Sequence, residues 1–182
     1  AVNGTTGDSM SLSVAERQAL AVAWVAAGRK YGIRVMNHIG AASIEDAKAL
    51  AAHAAAAGCD AIAAMPPFFF KPGSPAVIAA WLKTLSDAAP TLPLYYYHFN
   101  AITGVFVDPL ALVLACEAAG VATFRGFKFT DFCLWHYDNV LRHDGGRLDC
   151  AYGRDEAMLG GLATGARGSI GNGFNFMAGP HT

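Results

Sequence analysis

Charge is scarce in this sequence. Only 15% of its 182 residues are Asp, Glu, Lys or Arg, and the formal net charge is −1, where a globular average is about a quarter charged. Lysine and arginine form no run along the chain, so the sequence lacks the electrostatic footprint of a nucleic-acid binder. No uninterrupted apolar stretch approaches a membrane span. The opening residues AVNGTTGDSM have neither a basic start nor an apolar core, so no targeting segment is visible. The four cysteines, Cys59, Cys116, Cys133 and Cys150, form no CxxC pair; they read as reduced, buried thiols of a cytoplasmic protein. The six histidines lack zinc-ligand spacing, His136 and His143 included, so no metal site is expected. No GxGxxG follows an apolar run, which weakens dinucleotide binding.

What is present is apolar and alternating. Hydrophobic residues make up 54% of the chain, enough for one domain, residues 1–182, with a real core. Short β-rich runs (RVMNHIG, DAIAAMPP, LPLYYYHF, FRGFKF, RLDCAYG, GSIGN) alternate with helical ones such as SIEDAKALAAHAAAAG and PAVIAAWLKTLSDAA. Helix starts are marked by the capping box Ser13 with Glu16 and by Asp108 before Pro109. Gly58 and Gly120 stand where helices should end. Repeated strand–helix units build a parallel sheet covered by helices. Polar residues gather at the C-terminal ends of the strands, which favours a (β/α)8 TIM barrel over an open sheet. About six strands are expected, with AVNG as the tail of another. A barrel has eight, over about 250 residues, so the barrel looks truncated.

Four stretches could carry chemistry. In NGTTGDS, two glycines flank Thr5 and Thr6, so hydroxyls and backbone N–H groups can meet a carboxylate or phosphate; an ordinary polar turn would look the same. In LYYYHF, alternation puts Tyr95 and Tyr97 on one face and Tyr96 on the other. Tyr97, near the strand's end, can relay a proton or pack as an aromatic with a satisfied hydroxyl. In FRGFKF, Phe127 and Phe129 face the helices while Gly126 and Lys128 face inward, with Gly126 clearing space beside the lysine. A lysine there is either a desolvated amine able to attack a carbonyl, or one that snorkels at the strand end or bridges to Asp131. In YGRDEAML, Asp155 and Glu156 fall in the first turn of a helix, where acids complement the dipole or bind a polyhydroxylated ligand.

Taken together, these stretches resemble the pyruvate-dependent class I aldolase family that contains N-acetylneuraminate lyase and dihydrodipicolinate synthase. The run Gly4, Thr5, Thr6, Gly7, Asp8 with Glu16 is similar to the family's first motif, and Tyr97 with Lys128 in GFKFT is similar to its second. The resemblance implies a TIM barrel lacking its first strand–helix unit and its C-terminal helices. It also implies a homotetramer with no metal or cofactor and small-molecule substrates, pyruvate and N-acetylneuraminate. Lys128 would form the imine, Tyr97 would move the proton, and Thr5 and Thr6 would hold the pyruvate carboxylate. Thr130, Gly153, Asp155, Glu156 and Asn172 would surround the sugar.

The chain departs from the family at Asp8 for glutamate, Asn100 for the proline of Tyr-x-x-Pro, and Asn172 for a serine. Ile102 stands where the synthases carry an arginine, and Phe68, Phe69 and Phe70 occupy the place of an interface tyrosine. An uncharged pocket wall with two acceptors nearby is therefore expected, suited to a polyol. The alternatives are another pyruvate-condensing activity, or an inactive truncated member acting as an interaction module.

Overall fold

Five parallel strands run through one sheet in chain order in the structure, a computed structural model that describes residues 1–177. They are β1 (Met36–His38), β2 (Ala61–Ala64), β3 (Leu94–His98), β4 (Phe124–Phe129) and β5 (Asp149–Tyr152). The crossovers are α2 (Ile44–Ala57), α3 (Pro75–Ala88), a short α4 (Asn100–Thr103) followed by α5 (Pro109–Ala118), and α6 (Leu134–Arg142). Helix α1 (Val14–Tyr31) precedes β1, and α7 (Met158–Thr164) follows β5.

The local signals act as expected. Both halves of the Ser13–Glu16 capping box form, Ser43 and Ser74 cap α2 and α3, and the Asp108 carboxylate accepts from the Leu110 amide ahead of α5. Gly58 closes α2 at φ 81°, in the left-handed region open to glycine.

The sheet has two different faces. Outward, Ile62, Leu94, Tyr96, Phe127, Phe129 and Tyr152 pack with Leu50, Leu82, Leu112 and Val140 of the helices into the main core. Each such side chain contributes about 1.5–3 kcal/mol when fully buried. Inward lies a small second cluster of Ala61, Ala63 and Tyr95, with Met36 against it. Tyr96 therefore faces the helices and Tyr95 the interior, as alternation requires.

Two expectations need correction. GSIGN is not a full strand, because Ser169 makes only an isolated parallel bridge to Tyr152; Val2 likewise makes one bridge to Asn37. Residues on these two flanking segments, Ala1–Gly7 and Ser169–Asn172, line one cleft of about 630 Å3 together with Lys128 of β4. The sheet is thus rolled, with its two ends facing each other across the inner face. Nor does Gly126 make room for the lysine. Leu94 is level with Phe124 but Tyr95 with Gly126, so Arg125 is the extra residue of a β-bulge. A side chain at position 126 would overlap the Asp149 carbonyl of β5. The glycine clears space for backbone.

Candidate active site

Tyr97 and Lys128 are register partners on β3 and β4, one turn of the pleat from the C-terminal ends of their strands. The Lys128 Nζ lies 3.9 Å from the Tyr97 ring centroid, a cation–π contact. The Tyr97 hydroxyl is 3.3 Å from Thr5 Oγ1, and either can donate. Thr5 reaches it from the loop after the Val2 bridge, so opposite parts of the rolled sheet converge here.

The alternative bridge from Lys128 to Asp131 does not form. Asp131 instead accepts from the Asn100 side-chain amide at 2.7 Å and from the Cys133 backbone. His98 Nε2 stands 3.5 Å away, long for a hydrogen bond. The His98 contact and the backbone N–H groups hold the Asp131 carboxyl at about 2, against the opposing effect of burial. Asn100, the departure from proline, thus ties the loop after β3 to the loop after β4. Lys128 has no carboxylate partner among the described residues.

One cavity of about 220 Å3 is bordered by every site residue inferred above: Thr5, Thr6, Tyr97, Lys128, Thr130, Gly153, Asp155, Glu156 and Asn172. Thr130 is buried, its amide donates to the His98 carbonyl, and its Oγ1 has no hydrogen-bond partner. A side chain at position 153 would overlap that hydroxyl, so the glycine leaves room for it. Asp155 and Glu156 lie in a 3-10 turn, Asp155–Ala157, ahead of α7 rather than in the first turn of an α-helix. Asp155 is also partly used by the fold: its Oδ2 accepts from the Gly173 amide at 2.6 Å, while Oδ1 is buried without a partner. Cys133 is only partly buried, at the start of α6; burial pushes the Cys116 and Cys150 thiols up to about 12.

Three further residues belong to this neighbourhood. His38 sits edge-on to Tyr97, ring centroids 5.9 Å apart. Its Nε2 accepts from the Met65 amide at 3.1 Å. Burial first, then the positive charges of Arg17 and Lys128, lower its pKa to about 3, so it is neutral at pH 7. Phe99 stacks on Tyr97 at 5.8 Å. Arg154 also lines the cavity, its guanidinium carbon 4.3 Å from the Phe132 ring centroid and 5.1 Å from that of Phe99. The expectation of an uncharged wall is therefore wrong. Inward alternation from Met36 would have found His38, and Arg154 stands inside the quoted GRDE run.

Among the described residues, no three His, Cys, Asp or Glu side chains group as metal ligands, and no helix is long and apolar enough to cross a membrane. N-acetylneuraminate lyase A of Xenopus laevis is 43% identical over 176 residues, covering 97% of this chain and 57% of the frog protein. The human N-acetylneuraminate lyase is 39% identical, covering 97% of this chain and 55% of its own. The structure of N-acetylneuraminate lyase from Proteus mirabilis superposes with a TM-score of 0.93 at 32% identity, over 97% of this chain and 59% of that one. The chain thus spans little more than half the length of these relatives. The model of the dihydrodipicolinate synthetase family matches residues 1–181, nearly end to end, and the chain belongs to that family of (β/α)8-barrel proteins.

Proposed function

We propose that the protein is a class I aldolase that cleaves N-acetylneuraminate to N-acetylmannosamine and pyruvate. The placement of Lys128 carries this reading: an amine without a carboxylate partner among the described residues, set against the Tyr97 ring at a cavity rimmed by hydroxyls. Lys128 Nζ adds to the C2 ketone of the open-chain sugar acid and water leaves, giving an iminium. Tyr97 accepts the C4 hydroxyl proton as its own passes to Thr5, 3.3 Å away, and the Thr5 hydroxyl proton passes to the substrate carboxylate that Thr5 holds. The C3–C4 bond breaks, its electron pair moves into the iminium to form an enamine, and C4 departs as the aldehyde of N-acetylmannosamine. The same relay running in reverse delivers that proton to C3 of the enamine, and water hydrolyses the imine to release pyruvate and the free amine. The covalent imine supplies the electron sink, so the step needs no further cofactor.

In this reading, Thr5 and Thr6 hold the substrate carboxylate, and Thr130, Gly153, Asp155, Glu156 and Asn172 contact the sugar. The family resemblance supports a homotetramer and a cytoplasmic location. Dihydrodipicolinate synthesis is disfavoured by Ile102, which is exposed on α4 and cannot replace a bidentate guanidinium.

Incubating the protein with pyruvate and borohydride, followed by peptide mass spectrometry, tests the reading. A reduced adduct on Lys128, lost in Lys128→Ala, is expected. An adduct on another residue, or none in a folded sample, overturns the mechanism.

A further inference from the structure

Arg154 is held in an unusual way. Its side chain is only 18% exposed, and its guanidinium lies over Phe132 and Phe99. Phe99 stacks on Tyr97, and Tyr97 carries Lys128 on its ring. Two cations therefore flank one stacked aromatic pair, Lys128 at the Tyr97 end and Arg154 at the Phe99 end. An arginine resting on ring faces keeps its N–H groups free to donate in its own plane. Here Nε is buried and has no hydrogen-bond partner, and a buried unpaired donor is costly, most of all on a charged group. The residue borders the cavity, and its Nη2, which is not among the buried atoms and has no hydrogen bond within the described residues, is where a bound ligand can supply an acceptor.

We propose that Arg154 is a specificity-determining residue that donates a hydrogen bond to a neutral carbonyl oxygen on the aldehyde-derived half of the substrate, the acyl group of an N-acylated amino sugar. This rests on the aldolase reading and adds to it. Arg154 stands at the far end of the stack from the amine that would hold the pyruvate half, so it meets the other half. The acceptor is neutral because Glu156 Oε1 already lies 3.4 Å from Arg154 Nη1 and Asp155 borders the same cavity. A second substrate carboxylate would meet both acids. A carbonyl suits a donor-only side chain, and the exposed Phe132 ring offers apolar contact to an acyl methyl.

The test compares cleavage of N-acetylneuraminate with cleavage of the analogue bearing a hydroxyl in place of the acylamino group, in the intact protein and in Arg154→Leu. Losing one hydrogen bond from a charged donor should lower kcat/KM for the acylated substrate by about tenfold to a hundredfold. The analogue should change less than threefold, on the order of experimental spread for a contact not made. Borohydride trapping of pyruvate on Lys128 should be unchanged, because pyruvate has no acyl group. Should Arg154→Leu fail to trap pyruvate, Arg154→Met, which keeps an apolar stem over Phe132, carries the same comparison. Equal losses on both substrates, or no loss on either, overturn the proposal. A folded wild-type protein that cleaves neither substrate overturns the aldolase reading instead.

Discussion

His38 shows how one residue can serve the site without touching substrate. As an acceptor from the Met65 amide, its imidazole must carry its proton on Nδ1, and protonating Nε2 would break that bond. Its pKa is about 3 in the folded chain and about 6.5 when unfolded. Between those values the unfolded chain binds the extra proton, so the stability from a neutral His38 is complete above about 6.5 and is lost as pH falls toward about 3. Asp131, held at about 2, adds stability above its unfolded value that is lost only at lower pH. The urea midpoint should therefore fall between pH 7 and pH 5. In His38→Gln, whose amide oxygen can accept from Met65 without titrating, that fall should be much smaller. Equal falls in the two proteins would show that other groups set the acid sensitivity.

At the scale of elements, the junction of β3, β4 and β5 sets the aim of Lys128. The bulge at Arg125 shifts the register between Leu94 and Tyr95. Beyond it Tyr97 pairs with Lys128, and Lys128 with Ala151. Gly126 adopts φ 158° with β5 backbone directly against it, so Gly126→Ala must push the strands apart. It should destabilise the protein by about 3 kcal/mol, with faster hydrogen exchange in the β5 amides than in those of β1 and β2. A loss under about 1 kcal/mol, within the range of ordinary substitutions, would show that the bulge relaxes freely.

This junction also marks where the sequence stops being legible. Period-two alternation correctly separated Tyr96 from Tyr97 and Phe127 from Lys128, because each sheet face meets a different environment. Capping residues located the helices because their side chains act within one turn. The bulge could not be read, since it depends on a neighbouring strand's register, and so the reason for Gly126 was misassigned. The contacts of Asn100, Asp131 and Arg154 were hidden for the same reason. Their partners, on the loops after β3, β4 and β5, are distant in sequence.

For the whole molecule, the consequence lies at the two ends of the rolled sheet. The segments at Val2 and Ser169 each have one parallel bridge to the sheet, which among the described residues leaves backbone groups on their outer sides without a strand partner. Leu20 and Trp24 of α1 line the same cleft and are exposed. Unpaired parallel edges are templates for association, and parallel sheets are ordinarily covered on both faces. Apolar surface left in water forfeits about 25 cal/mol per Å2, against a typical total stability of about 5–15 kcal/mol. Expressed alone, the 182-residue chain should associate or aggregate as edges and apolar cleft residues find partners. Light scattering after size exclusion should report species larger than a monomer, and denaturation should be broad with a low midpoint. In a variant with Trp81 and Trp135 replaced by Phe, Trp24 gives a local probe: its fluorescence should shift to the blue as concentration rises and the cleft is covered. A concentration-independent monomer with a sharp, reversible melt would show instead that these edges are adequately protected by the loops beside them.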